Sequence, residues 1–110
     1  MEFQTVSAIE VWVDVTADDI QNGYPSDCDY CPVALAVGRA LNHTWTGHQF
    51  SNVQVEAETG FGRVKAYVET DGYWFDGLSG PLPKPARRFV LRFDSEREVS
   101  PFSFRLRLEG

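Results

Sequence analysis

The 110-residue chain has few of the residues from which catalytic and metal sites are built: two cysteines, two histidines and one methionine. It contains no G-x-G-x-x-G, P-loop, H-E-x-x-H or G-x-S-x-G sequence, which argues against the common nucleotide-binding, zinc-protease and serine-hydrolase classes. A catalytic dyad of Cys31 with His43 or His48 is conceivable, but no third residue that would orient the histidine is identifiable. The sequence therefore predicts a protein that is not an enzyme.

Long apolar runs and a secretory leader are missing as well. Residues 1–4, MEFQ, have neither the basic start nor the apolar stretch of a signal peptide. The most apolar run, residues 32–42, has about 11 residues, too few to span a bilayer. Two cysteines three positions apart do not make the disulfide framework of a small secreted protein. We therefore expect a cytoplasmic protein without membrane association.

Basic residues are scarce in the first part of the chain. Residues 1–80 hold 12 acidic and 3 basic side chains, whereas residues 81–110 hold 4 acidic and 7 basic ones. Affinity for phosphates needs a dominant positive surface, so nucleic-acid binding is disfavoured. A basic partner surface, or pairing between the two segments, is favoured instead.

The carboxylates of the acidic segment raise a further hypothesis, that the protein mimics a nucleic acid. Such mimicry requires a set of carboxylates to lie on one surface at roughly the spacing of phosphates. The residues concerned are Glu10, Asp14, Glu56, Glu58 and Glu69. The basic C-terminal third argues against this hypothesis.

The cysteines and histidines together have the spacing C-x2-C-x11-H-x4-H, close to that of a Cys2His2 zinc site. The four ligands would be Cys28, Cys31, His43 and His48. In such a site both histidines usually lie on a helix, but residues 43–48 contain two β-branched residues and a glycine and are predicted to form a loop. A small zinc-binding module is therefore one hypothesis. Two reduced thiols with unrelated histidines, and so no cofactor, is the other.

The residues after the second cysteine predict the core helix of the domain. Pro32 suits the first position of a helix, which places Cys31 at or near the N-cap. From Val33 to Leu41 the only charged residue is Arg39, and a helix that is apolar nearly all round is normally buried.

The remaining pattern predicts five strands and two further helices. Thr16 is the expected N-cap of a short helix that ends at Gly23, and a second helix is expected from Pro85 to about Ser95. Period-two alternation predicts strands at 8–15, 52–58, 63–69, 73–76 and 102–109, with a loop at 77–83. The order β-α-α-β-β-β-α-β favours one α+β domain over residues 1–110, with a mainly antiparallel sheet and its helices packed on one face.

Several residues are candidates for contact with a partner protein. Trp12 lies on the polar side of the first strand, which suggests a cover or a contact there, and Trp45 and Trp74 also favour exposed positions. Arg88 and Arg92 lie together off the apolar stripe of the last helix, where they would bind a carboxylate or a phosphate. With the absence of catalytic motifs, these residues favour a non-enzymatic protein that binds and modulates another protein.

Two segments carry a resemblance to known sequences. The run CPVALA at residues 31–36 and the tail over residues 82–104, with Leu-Pro, Phe-Asp and Val-Ser-Pro-Phe-Ser-Phe, resemble small uncharacterised proteins of actinobacteria and their phages. The resemblance covers roughly residues 8–108. It implies a phage or prophage origin. The protein that binds and modulates another protein would then be a phage accessory protein acting on a host protein in the host cytoplasm. The resemblance implies no activity and no functional residue.

Overall fold

Five strands and three helices follow the predicted order in the computed structural model, which describes residues 8–44, 49–70 and 73–110. At residues 49, 51, 68–70 and 73–76 it describes the backbone alone. The strands are β1 (Ala8–Val15), β2 (Gln49–Glu58), β3 (Phe61–Thr70), β4 (Tyr73–Pro81) and β5 (Phe102–Glu109). The helices are α1 (Ala17–Asn22), α2 (Pro32–Thr44) and α3 (Lys84–Asp94). The predicted α+β class is confirmed.

The strands form one antiparallel sheet with the order β1-β5-β4-β3-β2. β2, β3 and β4 follow one another as a meander, and β5 lies between β1 and β4. β1 and β5 pair over their whole length, from Ala8 opposite Glu109 to Val15 opposite Phe102. β4 and β5, in contrast, share the single pair Ser79 and Glu109 among the described residues. The sheet therefore has two well-paired parts that meet at one narrow junction.

Helix α2 packs against both β1 and β2, which are the two edge strands of the sheet. In a flat sheet these edges would be separated by four strand spacings, about 19 Å, which exceeds the ~10–12 Å diameter of a helix. The sheet must therefore curve around α2. The helix is buried on most sides, as predicted, and Val37 and Leu41 have no exposed surface. Each such side chain contributes about 1.5–3 kcal/mol to the free energy of folding.

The buried carboxylate of Asp19 connects β1, α1 and α2 through its hydrogen bonds. Thr16 is the N-cap of α1, as predicted, and forms a capping box with Asp19. Arg39 of α2 donates to both carboxylate oxygens of Asp19 at 2.7 Å and to the carbonyl of Asp14 at 2.8 Å. Burial alone would raise the pKa of Asp19, but the hydrogen bonds from Arg39 and from the Thr16 backbone outweigh it and hold that pKa below its usual value.

Two predicted boundaries were wrong. Helix α2 continues through Thr44, so the histidine at position 43 lies on a helix and not in a loop. Strand β4 continues through residues 77–81, where a loop was predicted. There Leu78 and Gly80 alternate inward and are both buried. A Cβ on Gly80 would lie 2.2 Å from the carbonyl oxygen of Arg107, so glycine is required by the approach of β5.

Two glycine substitutions test this packing, and they should change the stability of the protein in opposite directions. Gly38→Ala should stabilise the protein by about 0.5–1 kcal/mol, because the new Cβ meets Val53 at an ordinary 3.6 Å. Gly80→Ala should destabilise it by about 1–3 kcal/mol, because β4 and β5 must separate. Chemical denaturation measures both changes. A neutral Gly80→Ala variant would contradict the close approach of β4 to β5.

The ion pair predicts a pH dependence. Because the pKa of Asp19 is lowered in the folded state, its stabilising effect is present above the unfolded pKa, about 3.9, and is lost as the pH falls through the lower folded value. Asp19→Asn should lower the free energy of unfolding by about 1–3 kcal/mol at pH 7. It should also make the free energy of unfolding depend less on pH in the acidic range, the acid limb of the stability curve. Denaturation between pH 7 and pH 2 measures both effects, and an acid limb unchanged in the variant would contradict the assignment.

Candidate functional site

The side of β1 and β5 that faces away from the helices is exposed to solvent. Along β1, buried Val11, Val13 and Val15 alternate with side chains that point to solvent. Trp12 is on the solvent side and is 59% exposed. Arg105 of β5 lies directly opposite it in the ladder. We call this surface the Trp12 face; its residues are Glu10, Trp12, Asp14, Ser103, Arg105 and Arg107.

Charges on the Trp12 face are partly paired within the protein. The hydroxyl of Ser103 donates to the carboxylate of Asp14 across the strands. Arg107 lies opposite Glu10 but donates to Glu109, at 3.1 Å. Arg105 has no hydrogen-bond or ion-pair partner in the described part of the chain. The residue opposite the exposed Trp12 in the ladder is therefore an arginine that has no charged or hydrogen-bonding partner in that part of the chain.

Strands β1 and β5 are neighbours, and this explains why the sequence revealed the site only in part. Trp12 stands out in the sequence because it interrupts an alternating pattern. Arg105 becomes notable only through the β1–β5 register, which places it opposite Trp12. Trp45 lies outside the described residues, and so does the side chain of Trp74 on β4.

Other exposed aromatic residues were not predicted as contact candidates. Tyr24 and Tyr30 are 63% and 58% exposed and lie in the loop between α1 and α2, and Phe61 at the start of β3 is 48% exposed. The two tyrosines are joined by a backbone hydrogen bond, in which Tyr24 donates to Tyr30 at 3.0 Å. Their positions follow turn signals in the sequence, which favour exposure.

Cys31 is a capping residue, as predicted. Its Sγ accepts a hydrogen bond from the Ala34 backbone at 3.4 Å, and its carbonyl accepts from Leu35 at 3.1 Å. Burial raises the pKa of the Cys31 thiol to about 11. The pKa of Cys28 is also raised, by partial burial and then by the neighbouring Asp29 and Asp27. Both thiols are free, and neither has the lowered pKa of a reactive cysteine.

Two of the four predicted zinc ligands, Cys31 and His43, lie at opposite ends of α2. Cys31 caps the start of the helix and His43 lies in its last turn. Twelve residues at 1.5 Å each separate them by about 18 Å, whereas zinc ligands lie within about 2.3 Å of the metal. His48 lies outside the described residues. In the part of the chain that the structure describes, no group of three or more His, Cys, Asp or Glu side chains could hold a metal.

The carboxylates of the nucleic-acid-mimic hypothesis are divided between the two edges of the sheet. Glu10 and Asp14 lie on β1, among the arginines of β5, and Glu56 and Glu58 lie on β2. The side chain of Glu69 is not among those described. The four described carboxylates therefore lie on two different edge strands, and those on β1 have arginines of β5 as neighbours.

A cleft beside Cys28 collects several acidic residues. It has a volume of about 250 Å³ and lies between the loop before α2 and the free edge of β2. The Val55 backbone of β2 donates to the Cys28 carbonyl at 2.8 Å, and the Ser26 backbone donates to Asp94 of α3 at 2.8 Å. These bonds attach the cysteine loop to both neighbouring elements. Two of the carboxylates that line the cleft, those of Asp27 and Asp94, accept backbone hydrogen bonds that shape this loop.

Comparison of the chain with protein-family models, curated proteins and solved structures finds no match in any of the three. The resemblance to proteins of actinobacteria and their phages therefore stays a prediction. Among the described residues, no helix has the length and hydropathy needed to cross a membrane.

The separation of Cys31 and His43 predicts the metal content. Protein purified without chelator should hold less than about 0.1 zinc per chain by elemental analysis, because structural sites that do form bind zinc tightly. Cys28→Ser is the matched control and should leave both the zinc content and the thermal stability unchanged. About one zinc per chain, lost in Cys28→Ser, would contradict the arrangement described above.

Proposed function

We propose that the protein is a non-enzymatic interaction module that binds a partner protein through the Trp12 face. The observation that carries the proposal is the exposed indole of Trp12 directly opposite the unpaired guanidinium of Arg105. Tryptophan and arginine are the residues most enriched at the energetic centres of protein interfaces.

Burial of Trp12 by a partner would release substantial free energy. A tryptophan presents roughly 150–250 Å², so covering the exposed part of this side chain contributes about 3 kcal/mol at ~25 cal/mol per Å². The backbone is already ordered, because β1 pairs with β5 along its whole length and buries Val11 and Val13 on its other side. Little backbone entropy is then lost on binding, beyond the translational and rotational entropy that every association loses.

The charges of the Trp12 face define the partner's chemistry. Arg105 requires a carboxylate, and the indole requires an apolar pocket beside it. Glu10, Asp14 and Arg107 surround this centre with both signs of charge, which suits a polar rim. The partner is thus a protein with an apolar pocket and an acidic residue at its edge, and the phage resemblance implies a host protein.

Three clefts lined by described residues also support recognition by a surface. The cleft beside Cys28, a second at the junction of β4 and β5, and a third between α3 and β5 have volumes of about 250, 290 and 280 Å³. Small-molecule sites generally enclose about 300–1,000 Å³. These clefts are at or below the lower limit of that range.

Site-specific crosslinking tests the Trp12 face. Benzoylphenylalanine at position 12 should crosslink one discrete protein in a lysate of the source cells, and the same group at Phe61 should not. Adding Arg105→Glu to the position-12 variant should abolish the product, because the partner's carboxylate is repelled. Equal products at positions 12 and 61, or a product that survives Arg105→Glu, would contradict the proposal.

Affinity measurements with the crosslinked partner complete the test. Trp12→Ala should weaken binding by about 30-fold or more, the effect of an interface centre, while changing the unfolding free energy by less than about 0.5 kcal/mol. Phe61→Ala, which removes an exposed aromatic on β3, three strands away from β1, is the matched control and should bind like the unaltered protein. Equal affinity for Trp12→Ala would contradict the proposal.

A further inference from the structure

The chain turns back sharply after α3 and leaves a groove beside the helix. The Arg97 backbone donates to the Arg92 carbonyl at 2.9 Å and the Glu96 backbone to the Phe93 carbonyl at 3.0 Å. Glu96 has the left-handed φ of 58° that this ending requires. Residues 98–102 therefore run beside α3. We call the space of about 280 Å³ between them the Arg88 groove.

The floor of the Arg88 groove is aromatic and well packed. Phe89 of α3 stacks on Phe102 of β5 with ring centroids 4.8 Å apart, and Phe102 stacks on Phe104 at 5.5 Å. Phe89 is buried and Phe102 is partly exposed to the groove, with Val99 at its side. Such a floor suits one large apolar side chain.

One wall of the groove carries two arginines. Arg88 and Arg92 are one helical turn apart on α3, a spacing of about 5–6 Å between Cβ atoms, and both are exposed. Arg92 is held by a hydrogen bond to the Glu98 carbonyl at 3.2 Å. Arg88 has no hydrogen-bond or ion-pair partner among the described residues. Glu98 supplies the one carboxylate in the lining, so the groove carries a net positive charge.

We propose that the Arg88 groove binds an acidic peptide segment of a partner protein. A large apolar side chain of the peptide packs on Phe89 and Phe102, and a neighbouring carboxylate accepts hydrogen bonds from Arg88 and Arg92. The open shape cannot enclose a cofactor-sized molecule. A polyanion such as nucleic acid is disfavoured by Glu98 and by the net charge of −6 on the protein.

This groove is independent of the Trp12 face. Phe102 and Phe104 point to the side of β5 that the helices cover, and Arg105 points to the opposite side. A partner seated in the groove therefore leaves Trp12 accessible, and each proposal can fail without the other.

Peptide titration with mapping by NMR tests the groove. The probe is a fluorescein-labelled peptide, Gly-Asp-Glu-Phe-Asp-Gly, with two controls in which Asn and Gln replace the acids or Ala replaces Phe. The acidic aromatic peptide should bind at least about tenfold more tightly than either control. Its amide shifts should centre on Phe89, Val99 and Phe102. Shifts centred elsewhere, or equal affinity for the neutral peptide, would overturn the proposal.

A pair of variants distinguishes binding in the groove from general charge effects on affinity. Arg88→Gln should weaken binding of the acidic peptide by about tenfold or more. Arg97→Gln, which removes an exposed arginine outside the groove, should change the affinity for this peptide less than about twofold. Both variants should keep the thermal stability of the unaltered protein. Equal effects of the two variants, or tighter binding of a single-stranded DNA oligonucleotide than of the peptide, would refute the assignment.

Discussion

Helix α2 contacts both edge strands of the sheet, and the arrangement of the whole domain depends on this contact. β1 with β5 and β2 with β3 and β4 are each well paired, but among the described residues β4 and β5 meet at one ladder pair. The helix joins these two parts because its buried residues pack on β1 at one side and on β2 at the other. The pair of Asp19 and Arg39 then fixes α1 and the end of β1 to the same helix.

The same packing determines which surfaces are free for function. The helices cover the concave side of the sheet, so the other side of β1 and β5 faces solvent with Trp12 and Arg105 upon it. On the covered side, the turn after α3 brings β5 beside the helix and forms the Arg88 groove. Both proposed binding surfaces thus use β5, one on each of its faces.

Much of this fold could be predicted because local signals agree with tertiary packing. The alternation along 8–15 and 102–109 and the Thr16 cap are complete in the sequence, and the structure confirms them. The end of α2 could not be predicted, because its last turn is fixed from outside: the Asn42 side chain donates to and accepts from the Phe50 backbone at 3.0 and 2.8 Å. Gly80 likewise belongs to a segment whose composition indicates a loop. Glycine is needed there because Arg107 of β5, 27 positions later in the sequence, approaches it closely.

Prediction of the candidate sites from the sequence has the same limit. Trp12 was identified from the sequence because it breaks a pattern within one strand, but its pairing with Arg105 depends on strand register. The Cys2His2 spacing could not predict where its members lie, because a spacing does not specify conformation. Once residues 32–44 form a helix, Cys31 and His43 are at its opposite ends.

The most direct test of the coupling through α2 is native-state hydrogen exchange. If the helix makes the two parts of the sheet one cooperative unit, the slowest amides of both parts, such as Leu106 in β5 and Val64 in β3, should exchange with the same free energy, equal to that of global unfolding. Their exchange should also depend on denaturant in the same way. If Leu106 exchanges through a lower-energy opening while Val64 stays protected, β1 and β5 unfold separately and the account is contradicted.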